Sequence, residues 1–319
     1  MSRATAAFDD KSAGKSSDKS LQISTTNLGA GDRGWWAPYF FIAPFLIVFA
    51  VFIIYPLLYS LVLITQQTFG PKSSAFVGLK NISFLLQDPR FWKALTNTFV
   101  FAAGSVFVQL PISLGLALLL NRPGLRGRSF YRLVFFAPSL VGLVFVAVLF
   151  ALMFQKQTGL INVSIHAIFP AFSLEFPWLE KYVMSSLIIA ALWMYVGFNM
   201  VYFLAALQSV DKSLLEAAEI DGAGAWQRFL NVTLPAIAPV ASFVVLLSFI
   251  GSMQLFELPY LLLGNSAGPD NRGLTVVMYL YQQGFDIGDL GYASAIGWTL
   301  ALILIGFAIL QRVVARFTE

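Results

Sequence analysis

The chain has 319 residues, of which 58% are hydrophobic and 11% charged, with a formal net charge of +4, one histidine and no cysteine. An ordinary soluble domain carries roughly 25% charged residues, so a water-soluble fold of usual composition is excluded. Without cysteine there is neither a disulfide framework nor a thiolate metal site, and the single His166 cannot hold a metal alone.

Residues 1–34 mix Ser, Lys, Asp, Thr and Gly with almost no large apolar side chains, and are expected to form a disordered cytoplasmic tail rather than a cleaved signal. Gly14-Lys15-Ser16 looks like the end of a phosphate loop. However, Asp9 stands where the upstream glycine is required and no strand precedes it, so the match is a coincidence of sequence.

From residue 35 to 319 the chain is expected to be all-α and integral to the membrane. About 20 apolar residues in a helix cross a hydrocarbon layer roughly 30 Å thick. Six such runs occur, near Trp35–Thr65, Ala94–Asn121, Leu133–Phe154, Tyr182–Leu207, Pro235–Leu263 and Leu290–Gln311. Their continuity lacks the alternation of barrel strands, so helices are expected. Pro44, Pro56, Pro111, Pro138, Pro239 and Pro259 lie within them and are expected to kink them.

With the amino terminus inside, the inner segments hold Arg33, then Arg122, Arg126, Arg128 and Arg132, then Lys212 and Arg228, then Arg312 and Arg316. Outer segments share their fewer cations with Asp88, Glu175, Glu180, Asp270, Asp286 and Asp289. Both termini are therefore expected in the cytoplasm. The net positive charge follows from this bias and does not argue for nucleic acid. The arginine cluster 122–132 is expected to meet membrane lipid head groups.

Polar and aromatic residues within the spans mark a candidate solute path. Trp193, Tyr195 and Asn199 share the fourth span, where rings could stack on a sugar and the amide could bond its hydroxyls. Glu257 is the only acid well inside a predicted span, seven positions before Gly264, hence on the order of 10 Å from the outer end. Gln254 is expected on the same helical face, three residues earlier. Glu257 fits an outer gate or a structural bond to a partner subunit equally well. No Lys or Arg lies in a span away from its ends, which favours a neutral solute.

The segment 208–234, between the fourth and fifth spans, is longer and more polar than a turn requires. Ser213 and Glu216 fit a capping box, Gly222 suits the left-handed end of a helix, and Pro235 suits the first turn of the next span. A short helix with small alanines can enter a partner's groove, with Glu216, Glu219 and Arg228 available to pair with charges there. An amphipathic interfacial helix is the plainer alternative.

The run Glu216-Ala217-Ala218-Glu219-Ile220-Asp221-Gly222-Ala223, with Trp226, Phe229 and Thr233-Leu234-Pro235 after it, resembles the coupling loop of bacterial ABC importer permeases. Phe76 to Asn81, Trp193 with Gly197, Leu263 to Pro269 and Gly291 to Ala295 are similar to the carbohydrate-uptake, maltose-transporter-like branch. Asn265-Ser266-Ala267 departs from that branch's outer-loop pattern. The resemblance implies a non-catalytic permease subunit of the bacterial inner membrane, importing a sugar or polyol. It also implies an ATPase-coupling site formed by Glu216, Ala217, Ala218, Asp221, Gly222, Ala223, Arg228, Leu234 and Pro235. The implied partners are a cytoplasmic ABC ATPase dimer, which carries ATP and Mg, a second permease chain, and an extracytoplasmic solute-binding protein. No cofactor is expected in this chain itself. Two other classes remain open from the residues: an ion-coupled secondary transporter using Glu257, which should show internal repeats that are not evident here, and a non-transporting membrane scaffold.

Overall fold

The computed structural model describes residues 37–68, 70 and 74–318. The tail expected over residues 1–34 lies outside the described residues. The chain divides into two units between Pro56 and Leu57, and each is taken by itself. In the first, helix α1 (Tyr39–Ile64) begins. From Tyr39 to Pro56 every side chain is apolar or aromatic and all but Ala43 are exposed. A surface of that kind requires hydrocarbon or another apolar face against it.

The second unit opens with the end of α1 and a two-stranded antiparallel ribbon, β1 (Gln66–Thr68) and β2 (Ser74–Phe76), with Gln66 opposite Phe76. Helices follow as α2 (Lys80–Gln87), α3 (Pro89–Asn121), α4 (Arg128–Leu140), α5 (Leu143–Met153), α6 (Leu160–Ile168) and α7 (Val183–Gln208). After these come α8 (Lys212–Ile220), α9 (Ala225–Met253), α10 (Glu257–Leu262), α11 (Val276–Tyr281) and α12 (Leu290–Thr318).

Five helices, α1, α3, α7, α9 and α12, are long and apolar enough to cross a bilayer. The third predicted span is instead the pair α4 and α5, bent by 95° across a short break, so a sixth crossing exists only as a broken one. Its cause is local: the helix tightens to a 3₁₀ turn over Ala137–Leu140, which contains Pro138, and Val141 and Gly142 are then extended. The purely helical expectation is also corrected by the ribbon. Thr68 fastens it to the start of α12, donating to the Gly288 carbonyl at 3.1 Å and accepting from the Leu290 amide at 2.6 Å.

Two of the expected proline kinks, at Pro56 and Pro111, and the entry to Pro235 share one device. A π turn spans Ala50–Ile54, Ser105–Gln109 and Phe229–Thr233, and each ends two residues before a proline, Pro56, Pro111 and Pro235. In each case the residue just before the proline donates to the carbonyl five back. Proline lacks an amide and its ring crowds the carbonyl four back, so the wider turn lets the helix continue past it. Pro235 thus lies inside α9 rather than opening a span, which corrects the predicted boundary.

Three apolar clusters hold the second unit together. The first joins the start of α3 to α11 and α12, through Phe91, Leu95, Met278 and Ile296. The second joins α5, α7 and α10 through Phe150, Leu187 and Leu258. The third joins the end of α3, α7 and α9 through Leu120, Met200, Leu207 and Ile237. Helix α7 enters two of the three and is the most deeply buried of the long helices. A Cβ placed on Gly197 would lie 1.7 Å from the Phe135 carbonyl oxygen, so α4 and α7 meet backbone to backbone. Gly291 is under the same demand, its Cβ position being 1.8 Å from the Gln66 oxygen of the ribbon.

Asp88, counted among exposed loop acids in the sequence, is only 6% exposed. It caps α3 by accepting from the Arg90 amide at 2.9 Å, and it accepts from the hydroxyls of Tyr279 and Tyr292, each at 2.5 Å. One carboxylate therefore ties α3, α11 and α12 together. The Arg90 guanidinium sits 5.3 Å above the Tyr279 ring and reaches Gln282 at 3.3 Å. Burial raises the Asp88 carboxyl, but the two tyrosine hydroxyls and the Arg90 and Phe91 amides outweigh burial and hold it below its ordinary value of 3.8.

Two outcomes follow for the purified protein. Gly197→Ala should lower stability by at least about 1–3 kcal/mol through overpacking, whereas Gly306→Ala, with open space around it, should be neutral or raise stability by up to about 1 kcal/mol; thermal melting in one detergent compares them. Asp88→Asn should destabilise at neutral pH. Because the folded carboxyl is depressed, the stability it contributes is complete above its unfolded value near 4 and is lost as pH falls through the folded one. The gap between wild type and Asp88→Asn should accordingly close below about pH 4.

Candidate coupling loop and solute cavity

Residues 208–234 form two short helical pieces set against one another. Asp211, not Ser213, is the N-cap of α8, its carboxylate accepting from the Ser213 amide at 2.8 Å. That bond, together with the one to the Ser213 hydroxyl, holds the Asp211 carboxyl below its ordinary value. The predicted capping box is thus corrected by two positions, because the residue before Lys212 keeps the extended backbone a cap requires.

The far end of α8 closes as a Schellman turn. Gly222 adopts φ +80°, the Gly222 amide donates to the Glu219 carbonyl at 3.1 Å, and the Ala223 amide donates to the Ala218 carbonyl at 2.9 Å. Gln227 accepts from the Gly224 amide at 2.9 Å, which opens α9. Glu219 and Arg228, expected to meet charges on a partner, pair with each other at 2.5 Å and brace the two pieces. Glu216, Ala217 and Asp221 remain exposed on the α8 side, while Ala218 and Ala223 are half-buried. Leu234 is half-buried and Pro235 exposed within α9.

Three large apolar side chains stand out from this polar element. Ile220 is 87% exposed, Trp226 69% and Leu214 54%, with Trp226 stacked on Phe229 at 5.5 Å between centroids. The sequence quoted Trp226 only for its resemblance. Its exposure depends on the fold of the turn.

The candidate path residues separate into two groups. Tyr195 and Asn199 line a cavity of about 220 Å³ enclosed by α3, α7 and α9. Trp193 faces elsewhere, packed edge-on against Phe150 at 5.7 Å. Gln254 and Glu257 are exposed and do not share a helical face, because α9 ends at Met253 and α10 begins at Glu257 after Phe256 turns to φ −137° and ψ −59°.

The cavity wall carries residues that the sequence reading missed: Gln109 and Ser105 from the π turn of α3, and Tyr202 from α7, beside Ser248 and Ser252 of α9. No charged side chain lines it. Gln109 is 4% and Asn199 7% exposed, so both carboxamides are withdrawn from bulk solvent and open into this space. Gln109 could have been suspected only as a lone amide in an apolar run. His166 bonds the Phe172 carbonyl at 2.7 Å, and among the described residues no cluster of His, Asp or Glu could hold a metal.

These features define a multi-pass helical membrane protein with a braced polar hairpin at one end and an uncharged cavity between its spans. Residues 109–319 match the family described as binding-protein-dependent transport system inner membrane component. The arabinooligosaccharides transport system permease protein AraP of Bacillus subtilis is 38% identical over 272 residues, covering 84% of this chain and 85% of that one. The lactose transport system permease protein LacF of Rhizobium radiobacter is 36% identical over 289 residues, 89% of this chain and 94% of that one. A bacterial alginate ABC transporter, solved with an alginate pentasaccharide-bound periplasmic protein, has a chain of the same fold at TM-score 0.78 and 23% identity, covering 89% of this chain and 96% of that chain.

The chain belongs to the binding-protein-dependent transport system inner membrane component family, as a multi-pass, non-catalytic permease subunit of an ABC importer. Ion-coupled transport through Glu257 finds no support in that membership.

If the two carboxamides serve a ligand rather than the fold, removing them should not weaken the protein. Gln109→Leu and Asn199→Leu should leave the thermal midpoint unchanged or raise it, since each takes a buried amide away from an apolar wall. A fall of about 1–3 kcal/mol, the usual effect of losing a structural hydrogen bond at a buried group, would assign them to packing instead.

Proposed function

We propose that this permease imports a neutral sugar or polyol, delivered by an extracytoplasmic binding protein and driven by a separate cytoplasmic ABC ATPase dimer that carries ATP and Mg. A second permease chain, different from this one, completes the path. The chain crosses the membrane six times, with α4 and α5 as one broken span, and both termini are cytoplasmic.

The observation that carries the reading is the braced hairpin at 208–234. Its glycine turn and the Glu219–Arg228 pair fix two helical pieces against one another, and Ile220, Trp226 and Leu214 project from it largely exposed. Exposed apolar anchors within a polar rim are suited to a groove on a cytoplasmic partner. Glu216, Ala217, Ala218, Asp221, Gly222, Ala223 and Arg228 form that docking element, and Leu234 and Pro235 connect it to α9. Movement of the partner during ATP turnover would be transmitted along α9 to the cavity that Ser248 and Ser252 line.

The choice of solute rests on the cavity. Its two carboxamides, serines and tyrosines offer donors, acceptors and ring faces without a fixed charge, the chemistry that matches hydroxylated solutes. Two relatives are named for arabinooligosaccharides and lactose. Another relative, 34% identical, is named for sn-glycerol-3-phosphate, but a phosphate would call for a cationic side chain, and this cavity has none. Tyr195 and Asn199 contact the solute, while Trp193, Gln254 and Glu257 flank the path.

Co-purification with the ATPase tests the docking claim. Gly222→Trp, at φ +80°, and Glu216→Lys, which reverses an exposed charge, should each reduce ATPase retention on the order of tenfold while membrane insertion is unchanged. Equal retention would remove the docking role from this loop. Uptake of labelled lactose and arabinooligosaccharides in cells carrying Asn199→Leu tests the cavity, and undiminished uptake of a solute that wild type transports would exclude it from the path.

A further inference from the structure

The turn between α3 and α4 carries Arg122, Arg126, Arg128 and Arg132. No Asp or Glu occurs in the sequence between Asp88 and Glu175, and no ion pair among the described residues involves these arginines. Gly124 at φ +80° and Gly127 at φ +78° reverse the chain within six residues of Asn121, so the arginines share one small surface. Arg128 donates to the Arg122 carbonyl at 2.8 Å. Arg122 and Arg126 are exposed, and Arg132 has a buried Nε without a hydrogen-bond partner.

The helix at this turn aggravates the charge. α4 starts at Arg128 after Gly127, which supplies no side-chain cap, and no acid lies in its first turn. A helix start carries a partial positive charge and favours anions, yet here it is surrounded by cations. Among the described residues no carboxylate pairs with these arginines.

Placement decides which anion fits. Leu120, at the end of α3, packs in one cluster with Leu207 and Val210, so the arginines lie at the end of the bundle from which the 208–234 hairpin extends. Phe135 of α4 meets Gly197, eleven residues before the end of α7 at Gln208 and so about 16 Å into the bundle. α4 therefore descends from the arginine surface into the apolar layer. Along the way Phe130 is 64% and Leu133 61% exposed. Cations with exposed aromatic and aliphatic side chains directly beneath them complement an amphiphile with an anionic head.

We infer that the α3–α4 turn and the first turns of α4 form a binding site for an anionic phospholipid. Arg122, Arg126, Arg128 and the amides at the start of α4 hold the head-group phosphate, and Phe130 and Leu133 carry the acyl chains. The site is separate from the solute cavity and does not depend on which solute is moved.

The full chain, with any co-purifying subunits, is titrated in detergent with phosphatidylglycerol, phosphatidylcholine and inorganic phosphate, and adducts are counted by native mass spectrometry. Wild type should prefer phosphatidylglycerol. The Arg122→Gln, Arg126→Gln double variant should bind it roughly 25-fold more weakly, about fivefold per arginine near a membrane surface, with phosphatidylcholine unchanged and the thermal midpoint preserved. The corresponding double lysine variant should keep most of the preference. Arg126→Gln alone, at an exposed side chain, provides the reading if the double variant fails to fold. Unchanged phosphatidylglycerol binding in the glutamine variants would overturn the site. So would inorganic phosphate binding as tightly as the lipid, which would mark a small-anion site. Loss of the ATPase with lipid binding intact would show a protein contact in its place.

Discussion

A backbone in hydrocarbon has to satisfy its amides and carbonyls internally, and three of the five long helices, α1, α3 and α9, depend on how that requirement is met around proline. Pro56, Pro111 and Pro235 each remove one donor and crowd one carbonyl. Each follows a π turn in which the preceding amide has shifted its bond by one residue. The helices therefore continue past these three prolines. In α3 the widened turn also presents Ser105 and Gln109 to the cavity, so a repair of the backbone supplies two of the polar groups in the wall.

Close approach between backbones sets the remaining geometry. Gly197 allows α4 to lie directly on α7, and Gly291 allows the ribbon to lie on α12. Asp88 then joins α3, α11 and α12 through two tyrosine hydroxyls. A buried carboxylate of this sort is tolerable because its lone pairs are fully used. These contacts lie in one compact unit, and they give α7 and α9 a rigid setting from which the 208–234 hairpin can act.

The hairpin and the cavity place different demands on the same helix. α9 begins with Trp226 and Arg228 in the hairpin and reaches Ser248 and Ser252 at the cavity. In the coupling proposed above, a displacement at one end of this continuous helix is carried to the other.

Periodicity and composition by themselves determined the helical membrane class, the approximate spans and the position of the polar hairpin, because a twenty-residue apolar run has few other solutions. Gly222 was legible as a turn, since a left-handed residue at a helix end favours glycine whatever surrounds it. Tertiary structure alone decided the rest. Asp88 looked like a loop acid until two tyrosines about two hundred residues away enclosed it. Gln109 met Asn199 only because α3 packs on α7. Gln254 and Glu257 lost their shared face at a break that no periodicity marks. Each of these is a contact between segments distant along the chain or a local break in φ and ψ, and neither leaves a repeat in the sequence.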